Sequence, residues 1–240
     1  MNALVIVPTY NEHENIPTLA SRLLRHAGVR VLIVDDQSPD GTGAVADALA
    51  RQHPDRVEVL HRTSRRGFGR SYIDGIRRAL AGPAELICQM DADFSHDPDR
   101  LPDLIAAAGR ADIVIGSRYV AGGAIVNWPA RRRLLSRFAN LYVRTITRVD
   151  ARDCTSGYRC WRREALASLP LDRFVSDGYS FLVEMLFVAA SQERRIAEVP
   201  ITYVERREGQ SKMSRAVIVE SVITPWRLIA RGKAARPAAR

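Results

Sequence analysis

Short apolar runs rich in β-branched residues alternate with segments whose apolar positions recur every three or four residues in the first half of the chain. The runs are typical of buried strands, and the recurring positions are typical of helices with one apolar face. The pattern predicts strands at 3–7, 31–34, 57–60, 86–90 and 113–115. It predicts helices at 41–52, 71–80 and 99–108, and one from a cap at Asn15 to a stop at Gly28.

This alternation predicts an α/β fold with a doubly wound, mostly parallel, Rossmann-like sheet and helices on both faces. Ligands of such sheets bind beyond the carboxyl ends of the strands. Two pairs of carboxylates follow predicted strands directly: Asp35 with Asp36, and Asp91 with Asp93. We therefore expect the functional site at this edge of the sheet.

The second half of the chain is less regular. Helices are predicted at 131–148 and 177–192, a strand at 196–204, and an amphipathic segment at 214–231 that Pro225 interrupts. We expect one α/β domain over 1–213, a helical appendage over 214–231, and a disordered basic tail over 232–240.

The charge balance favours anionic partners. The 240 residues carry 36 Lys and Arg against 27 Asp and Glu, a net charge of +9. A nucleic-acid partner is not expected, because no nucleic-acid motif accompanies the charge and carboxylates line the strand ends. Three cysteines are too few for a disulfide framework and suit reduced thiols in the cytoplasm. No signal peptide or membrane-spanning stretch is recognisable, so we expect a soluble or peripheral protein.

The strongest local signal is the acidic pair Asp91 and Asp93 after the strand at 86–90. Carboxylates at a strand-to-loop junction can share one hard cation and leave its other positions to substrate phosphates. The alternative is a helix-capping loop, since Asp97 and Asp99 follow closely. The second acidic strand end favours the metal site, and Asp36 there can accept hydrogen bonds from a base or ribose. The loop at 8–12 can clamp the same nucleoside, although each loop alone also suits an ordinary strand-to-helix connection.

Ordered motifs recur along the chain. They are PTYNE at 8–12, DDxSPDGT at 35–42, MDAD at 90–93, SHxP at 95–98, GSRY at 116–119, NWP at 127–129, DxTSGYR at 153–159, GYxF at 178–181, VPI at 199–201 and GxSKM at 209–213. Together they resemble the family-two glycosyltransferases of the GT-A fold and, more narrowly, the polyprenol (dolichol) monophosphate mannose synthases. The resemblance covers about residues 3–215. Gln37 and Leu182 depart from the usual pattern of the family.

The resemblance implies transfer of mannose from GDP-mannose to a polyprenyl phosphate, with inversion and with Mg²⁺ or Mn²⁺ as cofactor. A related transferase using UDP-glucose or another sugar nucleotide is the alternative. By motif match, the guanosine end is held by Pro8, Tyr10, Glu12, Val34 and Asp36. Asp91, Ala92 and Asp93 bind the ribose, the diphosphate and the metal, and Ser95 completes the metal site. Arg118, Arg206 and Lys212 bind the phosphates of the donor, and Arg131 and Ser136 bind the lipid phosphate. The catalytic set is then Asp91, Asp93 and Arg118.

A phosphate acceptor has its second pKa near ~6 and is already largely anionic at neutral pH, so we expect no strong general base. The lipid substrate requires contact with a membrane. The segment 214–231 combines an apolar side containing Trp226 with flanking cations, which is typical of a helix lying in the bilayer interface. The alternative is packing of these apolar residues against the catalytic domain. We expect peripheral attachment to the cytoplasmic face of a membrane, with a separate membrane-anchor subunit as a further partner.

Overall fold

The computed structural model describes residues 2–176, 178–205 and 215–234. Nine strands and eight α-helices lie in these residues, with short 3₁₀ turns at Pro98–Arg100 and Leu171–Arg173. The strands are β1 (Ala3–Thr9), β2 (Val29–Asp35), β3 (Val57–His61), β4 (Leu86–Gln89), β5 (Ile113–Ser117), β6 (Ala124–Val126), β7 (Arg159–Arg162), β8 (Ile196–Pro200) and β9 (Thr202–Val204). The helices are α1 (Ile16–Leu24), α2 (Thr42–Gln52), α3 (Phe68–Ala81), α4 (Leu101–Ala107), α5 (Ala130–Thr147), α6 (Arg163–Ala167), α7 (Gly178–Ser191) and α8 (Arg215–Ala234).

Seven strands form the central sheet in the order β3-β2-β1-β4-β7-β5-β8, and β6 pairs with β9 in a small second sheet. The central pairs are parallel except those of β7, which runs antiparallel to β4 and β5. Alternate residues of β1 face opposite layers, because side chains along a strand alternate between its two faces. One layer holds α1, α2 and α4, and the other holds α3, α5, α6, α7 and α8. The predicted α/β fold with a mostly parallel sheet is confirmed.

Strand β7 was not predicted, because its sequence Arg-Cys-Trp-Arg has too few apolar residues to resemble a buried strand. Its first residue, Arg159, is fully buried and donates to the carbonyls of Cys154, Ser156 and Leu182 at 2.7–2.9 Å. Burial lowers the pKa of Arg159 to about 10. These bonds tie the segment before β7 to α7, underneath the strand ends that matter for function.

Four details of the predicted elements were wrong. The strand at 196–204 divides at Ile201, so that β8 joins the central sheet and β9 joins the small one. The helix predicted at 99–108 begins with a 3₁₀ turn. Asn15 stands at the N-cap position but makes no capping hydrogen bond; its side-chain amide donates to the Glu12 carboxylate. Helix α8 continues through Pro225 rather than stopping there.

Glycine at position 75 lets α3 lie close to β1. A β-carbon on Gly75 would stand 2.7 Å from Ile6 Cγ2 and 3.1 Å from Val34 Cγ2, both in the core of the sheet. Real side chains do not tolerate the shorter distance, so a larger residue would force α3 outward.

Helices α5 and α8 leave several large apolar side chains in solvent. On α5 these are Leu134, Leu135, Phe138 and Leu141, and on α8 they are Val222, Ile223 and Trp226. Tyr142 joins the two groups, because its ring stacks on Phe138, its hydroxyl donates to the Val222 carbonyl, and it accepts from Trp226 Nε1 at 2.9 Å. We call these seven exposed residues the apolar face. Within the described ranges, no helix is long and apolar enough to cross a bilayer.

Candidate active site at the strand ends

The carboxyl ends of β1, β2 and β4 lie side by side, because β1 is the sheet neighbour of both other strands. Asp36 follows β2, and Asp91 and Asp93 follow β4 by two and four residues. The predicted meeting of the two acidic strand ends at one edge of the sheet is therefore observed. We call residues 91–96 the acidic loop.

The acidic loop is held by its own backbone and by His96. The Asp91 N–H donates to His96 Nδ1 at 3.2 Å, and the Ser95 N–H donates to Asp93 Oδ1 at 3.1 Å. Burial lowers the pKa of His96 to about 4, so its ring is neutral at pH 7 and Nδ1 stays an acceptor. The Tyr72 hydroxyl contacts Asp91 Oδ1 at 3.4 Å. The loop thus presents its two carboxylates from a fixed backbone.

The carboxylates of the acidic loop suit a divalent cation held jointly by protein and substrate. Asp91 and Asp93 are only partly buried, whereas Ser95 is fully buried and its Oγ has no hydrogen-bond partner among the described residues. No group of three His, Cys, Asp or Glu side chains able to hold a metal occurs in that part of the chain. Mg²⁺ characteristically binds through one or two carboxylates and completes its shell with substrate phosphates and water. Two carboxylates and an unsatisfied hydroxyl fit that mode.

The predicted nucleoside residues lie in and beside the loops after β1, β2 and β3. Asp36 accepts from the Arg62 guanidinium and from the Gly67 N–H, which ties the loop at 62–67 to the end of β2. Arg66 in that loop donates to the Tyr10 hydroxyl at 2.7 Å. The loop at 62–67 therefore contacts both Tyr10 and Asp36, two of the predicted nucleoside residues.

The remaining predicted nucleoside residues take different positions on β1 and β2. Pro8 is half-buried at the end of β1, paired in register with Val34. The Val34 side chain is fully buried in the core, so only its backbone can face a nucleotide. The Glu12 N–H donates to Thr42 Oγ1 at 2.9 Å, joining the first loop to α2.

Arg118 lies beyond β5 and is fixed by a buried carboxylate. Its Nε and Nη2 donate to the two oxygens of Asp153, each at 2.7 Å, and Asp153 is fully buried. Burial alone would lower the pKa of Arg118, but the charge and hydrogen bonds of Asp153 raise it above its ordinary value. The guanidinium carbon also lies 5.3–5.8 Å from the ring centres of Tyr119, Trp128 and Tyr203.

The predicted acceptor residues sit on the first turns of α5. Arg131 is exposed, and Ser136 Oγ accepts from the Tyr119 hydroxyl at 2.7 Å. The next residue after Arg131, Arg132, pairs with Glu205 and lies 4.1 Å from the Trp128 ring centre. Because Tyr119 follows Arg118 directly, its hydrogen bond places Ser136, one of the predicted acceptor residues, next to the Arg118 centre.

The sequence model of one family, glycosyl transferase family 2, matches residues 4–169. The chain belongs to glycosyl transferase family 2. It is 47% identical over 240 residues to an undecaprenyl-phosphate mannosyltransferase of Micrococcus luteus, with 98% of each chain covered. It is 46% identical over 228 residues to a polyprenol monophosphomannose synthase of Mycolicibacterium smegmatis, covering 93% of this chain and 86% of the relative.

The fold of this family-2 glycosyltransferase agrees with solved GT-A structures. A glucosyl-3-phosphoglycerate synthase of Mycobacterium tuberculosis, crystallised with Mn²⁺, UDP and phosphoglyceric acid, superposes with a TM-score of 0.71 at 18% identity. The match covers 99% of this chain and 80% of that one. The expected GT-A fold and the resemblance to polyprenol monophosphate mannose synthases are confirmed.

Two predicted phosphate ligands of the transferase, Arg206 and Lys212, lie outside the described residues. Three residues absent from the predicted set belong to the site by their contacts: Arg62 and Arg66 on the nucleoside side, and Tyr119 beside Ser136. Tyr119 stands in the GSRY motif, so the sequence carried a signal for it. The two arginines stand in a loop without a recognisable motif.

Proposed function

We propose that this glycosyltransferase transfers mannose from GDP-mannose to a polyprenyl phosphate with inversion, giving polyprenyl-phosphate-mannose and GDP. The proposal rests on one observation: the acidic loop, which suits a nucleotide diphosphate with its cation, is linked through Glu205 to α5, the helix that carries most of the apolar face. The Ser95 carbonyl of the acidic loop accepts from the Val204 N–H, and Glu205 beside it pairs with Arg132 on α5. On the same helix, Arg131 and Ser136 adjoin the apolar face. The names of the two relatives support a polyprenyl phosphate acceptor and mannose as the sugar.

In the proposed donor complex, the nucleoside lies against Tyr10, Glu12 and Asp36, with Pro8 and the Val34 backbone behind it. The diphosphate lies at the acidic loop, where Asp91 and Asp93, with Ser95, would hold the divalent cation. When bound, this cation neutralises charge on the departing diphosphate. Arg118, Arg206 and Lys212 are the proposed cationic partners of the phosphates. Because Asp153 already accepts from Nε and Nη2 of Arg118, this side chain would offer the phosphates its charge and its Nη1.

The proposed reaction is a single displacement. An oxygen of the acceptor phosphate bonds to the anomeric carbon of mannose while the bond from that carbon to the GDP oxygen breaks, and the electron pair leaves with GDP. The acceptor is already anionic at neutral pH, so no side chain has to remove a proton. His96 agrees with this scheme because it is neutral and its Nδ1 accepts from the Asp91 backbone. The main task of the protein is to bring two anions together, which convergent cationic side chains accomplish.

Membrane attachment is proposed through the apolar face rather than through α8 alone. Its α5 residues are between 53% and 70% exposed, which is unusual for large apolar side chains clustered on one helix. Thr224 and Leu228 of α8 are buried, so this helix packs on the domain with one side and faces solvent with the other. Peripheral docking on the cytoplasmic leaflet would bring Arg131 and Ser136 to the lipid phosphate. A separate anchor subunit stays an expectation from the resemblance.

The test is a transfer assay with purified protein, undecaprenyl phosphate in detergent, a divalent cation and radiolabelled sugar nucleotide. We expect lipid-extractable label from GDP-mannose, and background only from GDP-mannose with the Asp93→Asn variant. Label from UDP-glucose at equal or higher rate would favour the alternative donor and contradict the proposal. Absence of lipid-extractable product from either donor would contradict the acceptor class.

A further inference from the structure

A basic pocket lies on the flank of α5, and the proposed reaction uses none of its arginines. Its volume is about 330 Å³, and it is lined by Tyr119, Arg137, Asn140, Leu141, Arg144 and Arg152. Three of these six residues are arginines. Arg137, Asn140 and Arg144 follow one another at the three- and four-residue spacing that places side chains on one face of a helix. Arg152 comes from the loop after α5, which folds back against it.

The positive charge of this pocket is only weakly compensated. Neither Arg137 nor Arg152 forms a side-chain ion pair with another described residue. Arg144 lies 4.0 Å from Asp150, which is fully exposed, and the Arg144 Nε is buried without a hydrogen-bond partner. Two carboxylates lie near the pocket and are already engaged: the partly buried Glu198 of β8 accepts from the backbone N–H groups of Arg152 and Asp153, and the buried Asp153 pairs with Arg118. The pocket is therefore suited to bind an anion, because three guanidinium groups surround it and one of them has a buried N–H donor without a partner.

The chemistry of the lining favours a phosphate over a carboxylate-bearing protein partner. Arginine forks match the paired oxygens of a phosphate, and the Tyr119 hydroxyl and Asn140 stand at the end of the pocket nearest Ser136. Leu141 belongs both to the pocket lining and to the apolar face. A ligand with an anionic head and an apolar tail would therefore meet both surfaces at once, which a free anion would not.

We propose that the basic pocket formed by Arg137, Arg144 and Arg152 binds the phosphate of an anionic membrane lipid, at a site separate from the acceptor phosphate. The pocket begins beside the acceptor residues, because Arg137 follows Ser136 directly, and it extends along α5 to Arg144, which lies 13 residues and roughly 20 Å from Arg131 at the rise of an α-helix. The bound lipid orients α5 on the bilayer, so that the acceptor residues face the membrane. This inference rests on the membrane docking proposed above.

The test compares the purified full chain with the double variant Arg137→Gln/Arg152→Gln in sedimentation with vesicles. One vesicle type is phosphatidylcholine alone, and the other contains phosphatidylglycerol as well, at the same ionic strength. The matched control is Arg51→Gln/Arg110→Gln, which removes two exposed arginines near the starts of β3 and β5, at the opposite edge of the sheet. All four substituted residues are exposed, and thermal unfolding of each variant verifies folding.

We expect the pocket variant to bind the anionic vesicles about 30-fold more weakly, since one cation at an anionic surface contributes roughly fivefold. The control should lose less than about twofold, because its arginines lie far from the bilayer. Equal losses in the two variants would overturn the proposal by showing a general charge effect. Calorimetric titration with soluble dihexanoyl phosphatidylglycerol and with inorganic phosphate separates the sources. Equal affinity for the two would assign the pocket to a free anion and overturn its lipid assignment.

The same experiment separates failure of the pocket from failure of docking. Equal binding of the unmodified protein to neutral and anionic vesicles overturns the basic pocket and leaves docking through the apolar face in place. No binding to either vesicle type overturns docking, and the lipid assignment of the pocket with it.

Discussion

Replacing Asp153 by Asn should destabilise the protein more than any exposed charge change. Asp153 is fully buried and accepts three hydrogen bonds from Arg118: from Nε, Nη2 and the backbone N–H, at 2.7–3.0 Å. Asparagine keeps the size but removes the charge, and Arg118 is itself only 9% exposed. Breaking a buried pair by neutralising one partner costs about 3–5 kcal/mol. That is a large part of the ~5–15 kcal/mol by which domains are stable.

Urea denaturation at pH 7, followed by circular dichroism, measures this loss. The matched control is Asp172→Asn, because Asp172 pairs with Arg77 but is 87% exposed. We expect the control to lose less than about 1 kcal/mol, as exposed ion pairs contribute little. A loss in Asp153→Asn no larger than in the control would refute the reasoning.

The double variant Arg118→Gln/Asp153→Asn distinguishes lost charge balance from lost shape. With both charges removed, the buried Arg118 guanidinium is no longer left without its counter-ion. We expect the double variant to lose about 2 kcal/mol less than the sum of the two single variants, a coupling typical of residues in contact. Additive losses would mean that the charges do not interact.

Three further outcomes follow from the site and from the apolar face. Asp93→Asn should lower kcat by about 100-fold or more with folding unchanged, and a chelator should abolish the activity of the unmodified enzyme. Near-normal turnover of the variant in chelator would contradict the metal assignment. Arg131→Ala should raise the KM for polyprenyl phosphate about tenfold and leave the KM for GDP-mannose unchanged. Arg133→Ala, at another exposed arginine of the same helical turn, serves as the control. An equal rise of both KM values in Arg131→Ala would contradict the acceptor role. Phe138→Ser, or removal of residues 226–240, should weaken sedimentation with anionic vesicles, and high salt should weaken it further; unchanged binding would show that another surface is the anchor.

Much of the sheet could be predicted because the first half of the chain buries continuous apolar strands. β1, β2 and β4 are such strands, and the acidic residues after them reveal which edge holds the site. β7 escaped prediction because its strand character comes from pairing between β4 and β5, and its arginines mask the pattern. The division of 196–204 likewise depends on β6, a partner strand distant in sequence.

The candidate site was predictable where one short segment carries the chemistry, and not where it depends on packing between distant loops. Asp91 and Asp93 stand out beside their strand. The pairing of Arg118 with Asp153 spans 35 residues, and that of Arg62 with Asp36 spans 26, so neither has a local signal. The exposure of the apolar residues of α5 was also beyond the sequence, because the same spacing is typical of a helix packed on a core.

The most direct measurement of the proposed activity is structure determination of the lipid product by mass spectrometry and NMR, after incubation with GDP-mannose and undecaprenyl phosphate. The mass should equal that of the acceptor plus one hexose residue, and GDP should appear in equal amount. The one-bond coupling between C1 and H1 of the mannose should show the anomeric configuration opposite to that in the donor, as a single displacement requires. A product with retained configuration, or mannose released to water with no lipid product, would contradict the proposed transfer.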